Sequence, residues 1–407
     1  MKIKFDTLPI IILTIFSLIF SFAFADANGD LQTVVKGNGA FGFNLYQKLR
    51  ENEGNLFFSP YSISTALAMT YAGARGQTEK EMAQVLHFSL EQKPLHSSFS
   101  ELQSHLNTIQ NKGYINLSIA NSLWAQEGYH FLDTFFELNK KNYGAGLNFV
   151  DFATQTESAR ETINIWVEDK TQQKIKELIK PSMINSLTTL VLCNAIYFKG
   201  DWLSQFDKKR TMDADFYIFP DNAIKVPMMS QKSEFKFKNF GNFSAIRLPY
   251  EGNDLSMIIF LPKEIDGLVE LERNLTNDNV KTWIDKLIAS YKSEIFVSLP
   301  KFKTTCEFEL SEMLGEMGML SAFSLPPADF SGMTGKKDLF ISKVIHKAFV
   351  DVNEEGTEAA AATAVAMVRG GISRPIMFRA DHPFVFLIRE SQTGSILFIG
   401  RIIDPTK

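Results

Sequence analysis

An α+β fold is predicted for this chain, on three observations. The first half carries helical periodicity, as in ESARETINIWVEDKTQQKIKELI (157–179), where Ile163, Trp166 and Val167 share one face. A buried strand, TTLVLCNAIYF (188–198), follows as a continuous apolar run rich in β-branched residues. The second half is mostly strands joined by short turns, and no Pro-rich linker, repeat or long charge run separates it from the first. Helices and antiparallel strands in one undivided chain of 407 residues give one large domain of mixed class.

The elements follow in order. Lys2 and Lys4 precede an apolar run from about Leu8 to Phe24, which ends on the small-residue pattern Ala23-Phe24-Ala25. This reads as an export signal, residues 1–25, removed after Ala25, with residues 26–407 as the domain. An uncleaved membrane anchor is the alternative, since the run is nearly long enough to span a bilayer. Gly37-Asn38-Gly39-Ala40-Phe41-Gly42 matches the G-x-G-x-x-G pattern of dinucleotide sites. That fingerprint must follow a buried strand and open a helix, and only LQTVV precedes it, so a flexible start to the first helix is expected. Ser59-Pro60-Tyr61-Ser62 then opens a small, apolar helix, ISTALAMTYAGARG, with Ser59 as N-cap and Pro60 as first helical residue. AIRLPYE and LSMIIFLP read as paired strands around the turn EGND, EIFVSLPKFK as an alternating strand, and SEMLGEMGM as a short helix. HPFVFLIRE and GSILFIGRIIDP form a C-terminal hairpin across SQTG.

Composition excludes several functions. Loss of residues 1–25 leaves 382 of 407 and removes two lysines and one aspartate, so the formal charge of −4 becomes −5. Mild acidity argues against nucleic-acid binding, and no later segment is apolar and long enough to span a membrane. Cys193 and Cys306 lack metal-site spacing and read as buried free thiols, with a bridge between them as the alternative. The six histidines are scattered, and HExxH, GxSxG and P-loop patterns are missing, so no enzyme, metal or cofactor is expected. Asn116, Asn242 and Asn274 head glycosylation sequons, which matter only in a eukaryotic export route.

The segment EEGTEAAAATAVAMVRGGISRPI (354–376) carries the functional signal. As a helix it has alanine propensity but no apolar stripe, and Gly356, Gly370 and Gly371 bound it. As a linker it would need a second domain, and only about 36 residues follow Gly371. As a strand, Thr357, Ala359, Ala361, Thr363 and Val365 share one face, all small or β-branched and uncharged, while Glu358 starts the other. Such a segment can slide between two existing strands, each of its backbone groups finding a ladder partner.

DVNEEGTEAAAATAVAM, followed by FRADHPFVFLIRESQTGSILFIGRIIDP, resembles the hinge, reactive loop and C-terminal hairpin of the serpins. NLFFSPYSISTALAMTYAGARGQTEKEM, NAIYFKGDW, LPYEGNDLSMIIFLP and SLPKF resemble other parts of that family, in the right order. The resemblance implies the serpin fold, with three β-sheets, about eight or nine helices and an exposed reactive-centre loop at about 354–380. It implies a secreted serine protease inhibitor that acts as a suicide substrate: a protease acylates itself on the loop, the cut loop inserts into the main sheet, and the distorted protease cannot deacylate. A storage, carrier or chaperone-like binding protein is the alternative.

Residue by residue, the resemblance implies a hinge from Gly356 and Thr357 through Glu358, Ala359, Ala360, Ala361 and Ala362. Glu354 and Lys301 match a charge pair at the top of the sheet, with Trp202 beneath it. Ser59, Ser62, Asn194 and His346 match a polar cluster under the sheet centre. Family spacing places the scissile bond fourteen residues after Gly356, at Gly370–Gly371. Arg369–Gly370, one residue earlier, is the favoured reading because arginine suits trypsin-like pockets, and sites near Met367 or Arg374 stay open. A trypsin-like serine protease is the expected partner, with a cysteine protease as the alternative. A monomer is expected, outside the cell or in a bacterial periplasm. The ELQSHLNTIQNKG region has too few basic residues for a heparin site.

Overall fold

A computed structural model of the chain describes residues 8–144, 146–357 and 376–407, with side chains from residue 29 onward. The first helix, α1 (Leu8–Leu49), runs unbroken through the glycine-rich stretch at 37–42, so these glycines are not the flexible helix start expected of them. They are contact points. A Cβ would meet the His87 carbonyl oxygen at 2.6 Å from Gly37, Asn277 Oδ1 at 2.6 Å from Gly39, and Pro60 Cβ at 2.7 Å from Gly42. Bare backbone lets three neighbouring segments press on one helix.

β1 (Leu56–Phe58) leads into α2 (Pro60–Tyr71), which begins as the sequence predicts: Ser59 caps it, its Oγ accepting from the Ser62 amide at 3.1 Å. Every residue of α2 is buried. Next come α3 (Gly76–Leu86), α4 (Gln92–Gln110), β2 (Ile115–Gln126), α5 (Asp133–Tyr143) and β3 (Leu147–Val150). α6 (Thr156–Lys170) ends well short of Ile179, because Gln172, Gln173 and Glu177 take φ of 53°, 63° and 51°. The rest of the predicted helical window folds back as an irregular plug. Its Ile175, Leu178 and Ile179 are buried, and Asn164 of α6 bonds both the amide (2.8 Å) and the carbonyl (2.9 Å) of Ile179. The apolar spacing continues past the helix because the plug packs into the same core cluster.

The predicted buried run is β4 (Leu190–Asp201). After it come β5 (Met212–Phe219), β6 (Asn222–Asn239), β7 (Phe243–Pro249), β8 (Leu255–Pro262), α7 (Leu268–Arg273), α8 (Asn277–Ile288), β9 (Lys292–Pro300) and β10 (Phe302–Glu309). α9 (Ser311–Glu316), α10 (Ser331–Thr334), β11 (Lys343–Val352), β12 (Gly356–Thr357), β13 (Ile376–Arg379), β14 (Phe384–Glu390) and β15 (Ile396–Ile402) complete the chain. β7–β8 and β14–β15 are antiparallel neighbours, as predicted. EIFVSLPKFK is not one strand: Lys301 divides β9 in one sheet from β10 in the other.

The six-stranded sheet has the order β10-β11-β12-β4-β2-β3. The other strands form a nine-stranded sheet, ordered β1-β15-β14-β8-β7-β6-β9-β13 with β5 also on β6. Two of the three implied sheets are thus joined through β6, whose one edge serves β5 and then β7 while the other serves β9. An aromatic core including Phe57, Phe198, Phe386 and Phe398 packs between the sheets. On the other face of the six-stranded sheet, Val191 and Trp124 pack with Ile163 and Val167 of α6. Cys193 and Cys306 are both free.

One buried ion pair ties the ends of this architecture together. Arg401 Nη1 of β15 lies 3.0 Å from Glu272 Oε1 of α7, both side chains about 4% exposed, and Tyr46 of α1 donates to the same oxygen at 2.6 Å. Arg401 also donates to the carbonyls of Gly54 (2.9 Å), Arg50 (3.0 Å) and Asn52. Removing one partner of a buried pair costs about 3–5 kcal/mol, but Arg401 keeps three carbonyl acceptors, so Glu272→Gln is expected at the lower end or below, ~2 kcal/mol. A urea-unfolding midpoint indistinguishable from the parent would refute this.

Candidate functional site at the seam between two parallel strands

β4 and β11 run parallel and side by side from Lys343↔Val191 to Phe349↔Tyr197. Beyond that pair they part, and the two residues of β12 occupy the gap. Thr357 is opposite Val352 of β11 on one side and Gly200 of β4 on the other. The seam is therefore closed along most of its length and open at one end, with the first residues of the alanine-rich segment already inside. Gly356 is required there. A Cβ on it would lie 2.1 Å from the Gly200 carbonyl oxygen and 2.6 Å from Asp201 Cα.

The open end is held by backbone and charge. The Trp202 amide donates to Glu355 O (2.9 Å), the Phe206 amide to Glu354 O (2.8 Å), and Trp202 Nε1 to Asn353 O (3.0 Å). Trp202 stacks on Tyr250 at 4.6 Å and 8° between planes, and the Tyr250 hydroxyl sits 3.0 Å from Thr357 Oγ1, which is fully buried. Glu354 meets Lys301 Nζ at 2.9 Å and accepts from Thr211 Oγ1 at 2.7 Å. Burial works to raise the Glu354 carboxyl, but the bonds from Lys301 and Thr211 outweigh it and hold it below the usual range. Lys208 pairs with the adjacent Glu355, and that bond pushes the lysine up. At the mouth of the closed part, Tyr197 and Phe349 lie ring to ring at 5.8 Å, each with a lysine over its face, Lys174 at 5.8 Å and Lys303 at 5.1 Å.

Midway down the seam lies a polar row. Asn121, Asn194 and His346 stand level with one another on β2, β4 and β11. His346 Nδ1 bonds Asn194 Oδ1, while His346 Nε2 accepts from the Ser59 amide at 3.2 Å. The proton is thus assigned to Nδ1. Asn194 Nδ2 donates to Ser62 Oγ and Asn121 Oδ1, and Ser59 Oγ donates to Leu397 O at 2.6 Å. Full burial pushes the imidazole down to about 3, so it is neutral at physiological pH. This row is the polar bond between the two seam strands, and it is anchored on the start of α2.

Of the residues singled out from the sequence, Trp202, Lys301, Glu354, Gly356 and Thr357 meet at the open end, and Ser59, Ser62, Asn194 and His346 meet at the polar row. Glu358, Ala359, Ala360, Ala361 and Ala362, together with Met367, Arg369, Gly370, Gly371 and Arg374, lie outside the described residues. Sequence reasoning missed Asn121, Thr211, Tyr250, Lys208 and the Tyr197–Phe349 pair. Asn121 alone had a signal, as a polar residue in the otherwise apolar IANSLWA run of β2.

Residues 36–405 match the family model described as Serpin (serine protease inhibitor). A leukocyte elastase inhibitor of Xenopus tropicalis is 43% identical over 374 residues, 90% of this chain and 97% of the relative. The leukocyte elastase inhibitor of Homo sapiens is 41% identical over 383 residues, 92% of this chain and 100% of the relative. Among solved structures, uncleaved ovalbumin superposes with a TM-score of 0.83 at 30% identity, covering 92% of this chain and 100% of the other. Human thyroxine-binding globulin superposes with a TM-score of 0.84 at 31% identity, covering 93% and 100%.

Proposed function

The chain belongs to the serpin (serine protease inhibitor) family, and from that footing we propose that it is an exported inhibitor that traps its target by inserting a cut loop into the β4–β11 seam. The single observation that carries the proposal is β12: Gly356 and Thr357 already stand between the two strands. Extending their register down the seam brings residue 360 level with Tyr197 and Phe349, and residue 363 level with Asn194 and His346. Residue 363 is a threonine, and in a strand continued from β12 it would share the face of Thr357. Its hydroxyl is able to bond to Asn194 and His346 as they separate, so the polar row is not left unpaired when the strand enters.

The chemistry follows. The serine hydroxyl of the protease attacks the carbonyl carbon before the scissile bond, the peptide bond breaks, and the new amino terminus leaves with the 38 residues from Gly370 to Lys407. The acylated segment, freed at one end, completes the strand between β4 and β11. Each inserted backbone N–H and C=O exchanges water for a ladder partner. The intact fold is a kinetically trapped state above the inserted one. The protease is carried along, and its oxyanion hole and base leave hydrogen-bond reach of the ester.

We favour Arg369–Gly370 as the bond and a trypsin-like enzyme as the target, because arginine is the one long cationic side chain before the two glycines. The names of the relatives favour a second reading, an elastase that cuts nearer Met367. Incubation with trypsin and with elastase, followed by mass spectrometry of the released C-terminal peptide, separates the two. A trypsin product that starts anywhere but Gly370 would overturn the first. The same cleaved protein is expected to melt at least 20 °C above the intact one, since a full strand has been added to the sheet core. No rise would favour a carrier or storage role. We also propose that residues 1–25 are removed on export. N-terminal sequencing of the protein recovered from culture medium is expected to begin at Asp26, and retention of the chain in the cell would refute it.

A further inference from the structure

We infer that Asn242 is a carbohydrate attachment site whose first sugar packs into an aromatic cleft beside it; this rests on the export proposed above. The fold treats the three sequons differently. Asn116 sits within the β2–β4 pairing opposite Lys199, half-buried, its Oδ1 accepting from Ser118 Oγ at 3.1 Å. Asn274 ends α7 and donates to Glu270 O at 2.9 Å, while Thr276 of the same sequon caps α8 by accepting from the Asn279 amide at 3.3 Å. Modifying Asn274 disturbs helix ends that these side chains satisfy.

Asn242 has no such duty. It is exposed in the tight turn between β6 and β7, where Gly241 has φ +92° and the Phe240 amide donates to Phe243 O at 2.9 Å. Its own side-chain bond goes to Glu270 Oε1 at 3.2 Å, between two exposed groups. Beside the turn lies a cleft of about 380 Å³, lined by Asn242 itself, Phe240, Phe243, Leu271 and Trp283. Phe240 and Phe243 stack at 4.7 Å, and Trp283 lies 4.7 Å from Phe243. These three rings pack against the edge of a core cluster and are only partly buried, so each keeps some accessible surface on the cleft. A pyranose carries one face of C–H groups, which fits an aromatic surface, and a polar edge, which fits a rim bearing Glu270 and Asn274. A sugar on Asn242 Nδ2 starts at the rim of that cleft.

The transfer balances with one co-reactant, a polyprenyl-pyrophosphate-linked oligosaccharide of the eukaryotic export compartment. Asn242 Nδ2 bonds to sugar C1, the C1–O bond breaks, the polyprenyl pyrophosphate leaves, and the amide gives up one proton. The test uses the full chain in a secreting eukaryotic cell, beside a version with an unrelated secretion leader ahead of Asp26. Glycan release by peptide-N-glycosidase is expected to convert Asn242 to Asp and leave the Asn116 peptide unchanged; Asn242→Gln abolishes that mass. Enzymatic removal of the glycan is expected to lower the melting temperature of the parent, and Trp283→Ala is expected to erase that difference. An unmodified Asn242 in protein exported by the unrelated leader would overturn the site and leave the export reading standing. Failure of the native leader alone would overturn export and leave the site standing. A glycosylated chain whose melting shift survives Trp283→Ala would overturn the packing in the cleft.

Discussion

Thr357→Arg is expected to convert the protein from an inhibitor into a substrate. Thr357 has no solvent exposure, stands between Val352 and Gly200, and points its hydroxyl at Tyr250 under the Trp202 stack. No room exists there for a guanidinium, and an uncompensated buried charge costs several kcal/mol. The side chain can escape only by drawing β12 out of the seam, which removes the nucleus from which the proposed insertion would proceed. In the proposed mechanism, insertion and deacylation compete for the same acyl-enzyme. A barrier raised by ~3 kcal/mol slows insertion about a hundredfold, and hydrolysis then wins. The expected readout is loss of the covalent, SDS-stable protease complex and at least a tenfold rise in inhibitor consumed per protease inactivated. Loop cleavage itself continues, since the scissile region lies more than ten residues further along the chain. Thr357→Ser, which keeps the hydroxyl and the volume within one methyl, is expected to inhibit normally. Unchanged complex formation by Thr357→Arg would sink the insertion mechanism for this chain.

The parts of this site that sequence made legible are those in which one residue type answers one physical demand. Ser59-Pro60 could be read as a helix start because capping is local, and β4 could be read as buried because a continuous β-branched run has few other uses. The strand reading of the alanine segment meets the structure only at Gly356 and Thr357, its described residues, which form β12. Register was not. The level at which Asn194 meets His346, and the distance of β12 from it, come only from the β4–β11 and β12 pairings, and no pattern within either segment encodes them. Partners brought from distant strands were also invisible: Tyr250 reaches Thr357 across 107 positions, and Lys208 reaches Glu355 across 147. The helical reading of 157–179 holds to Lys170 and fails beyond it, because periodicity reports which face is buried, not whether the backbone between buried residues stays helical. The six-residue glycine pattern failed for a related reason. It was read for backbone freedom, whereas inside α1 it serves close packing.

Acidification is expected to loosen the seam before it protonates the carboxylates. His346 lies at about 3 in the fold and His96 at about 4, both pushed down by burial from an ordinary 6.5. The unfolded chain therefore binds protons that the native chain refuses as pH falls below 6.5. Their contribution to stability is constant above that value and falls between 6.5 and the folded values. Near pH 5 each such histidine contributes a slope of up to ~1.4 kcal/mol per pH unit. The carboxyls held low, including Glu354, Asp329 and Asp404, act in the same direction, but only below about pH 4.5. The interval from 6.5 to 4.5 thus belongs to the histidines. His346 is the one whose charging breaks the seam, because a proton on Nε2 faces the Ser59 N–H that now donates to it. The expected measurement is a urea midpoint that declines steadily from pH 6.5 to 4.5, with a clearly shallower decline in His346→Gln and the remainder traceable to His96 and His87, which burial also pushes down. Comparing slopes, not midpoints, removes the loss of stability that the substitution itself brings. If His346→Gln titrates like the parent across this interval, the imidazole is not what couples proton uptake to the strands that admit the loop.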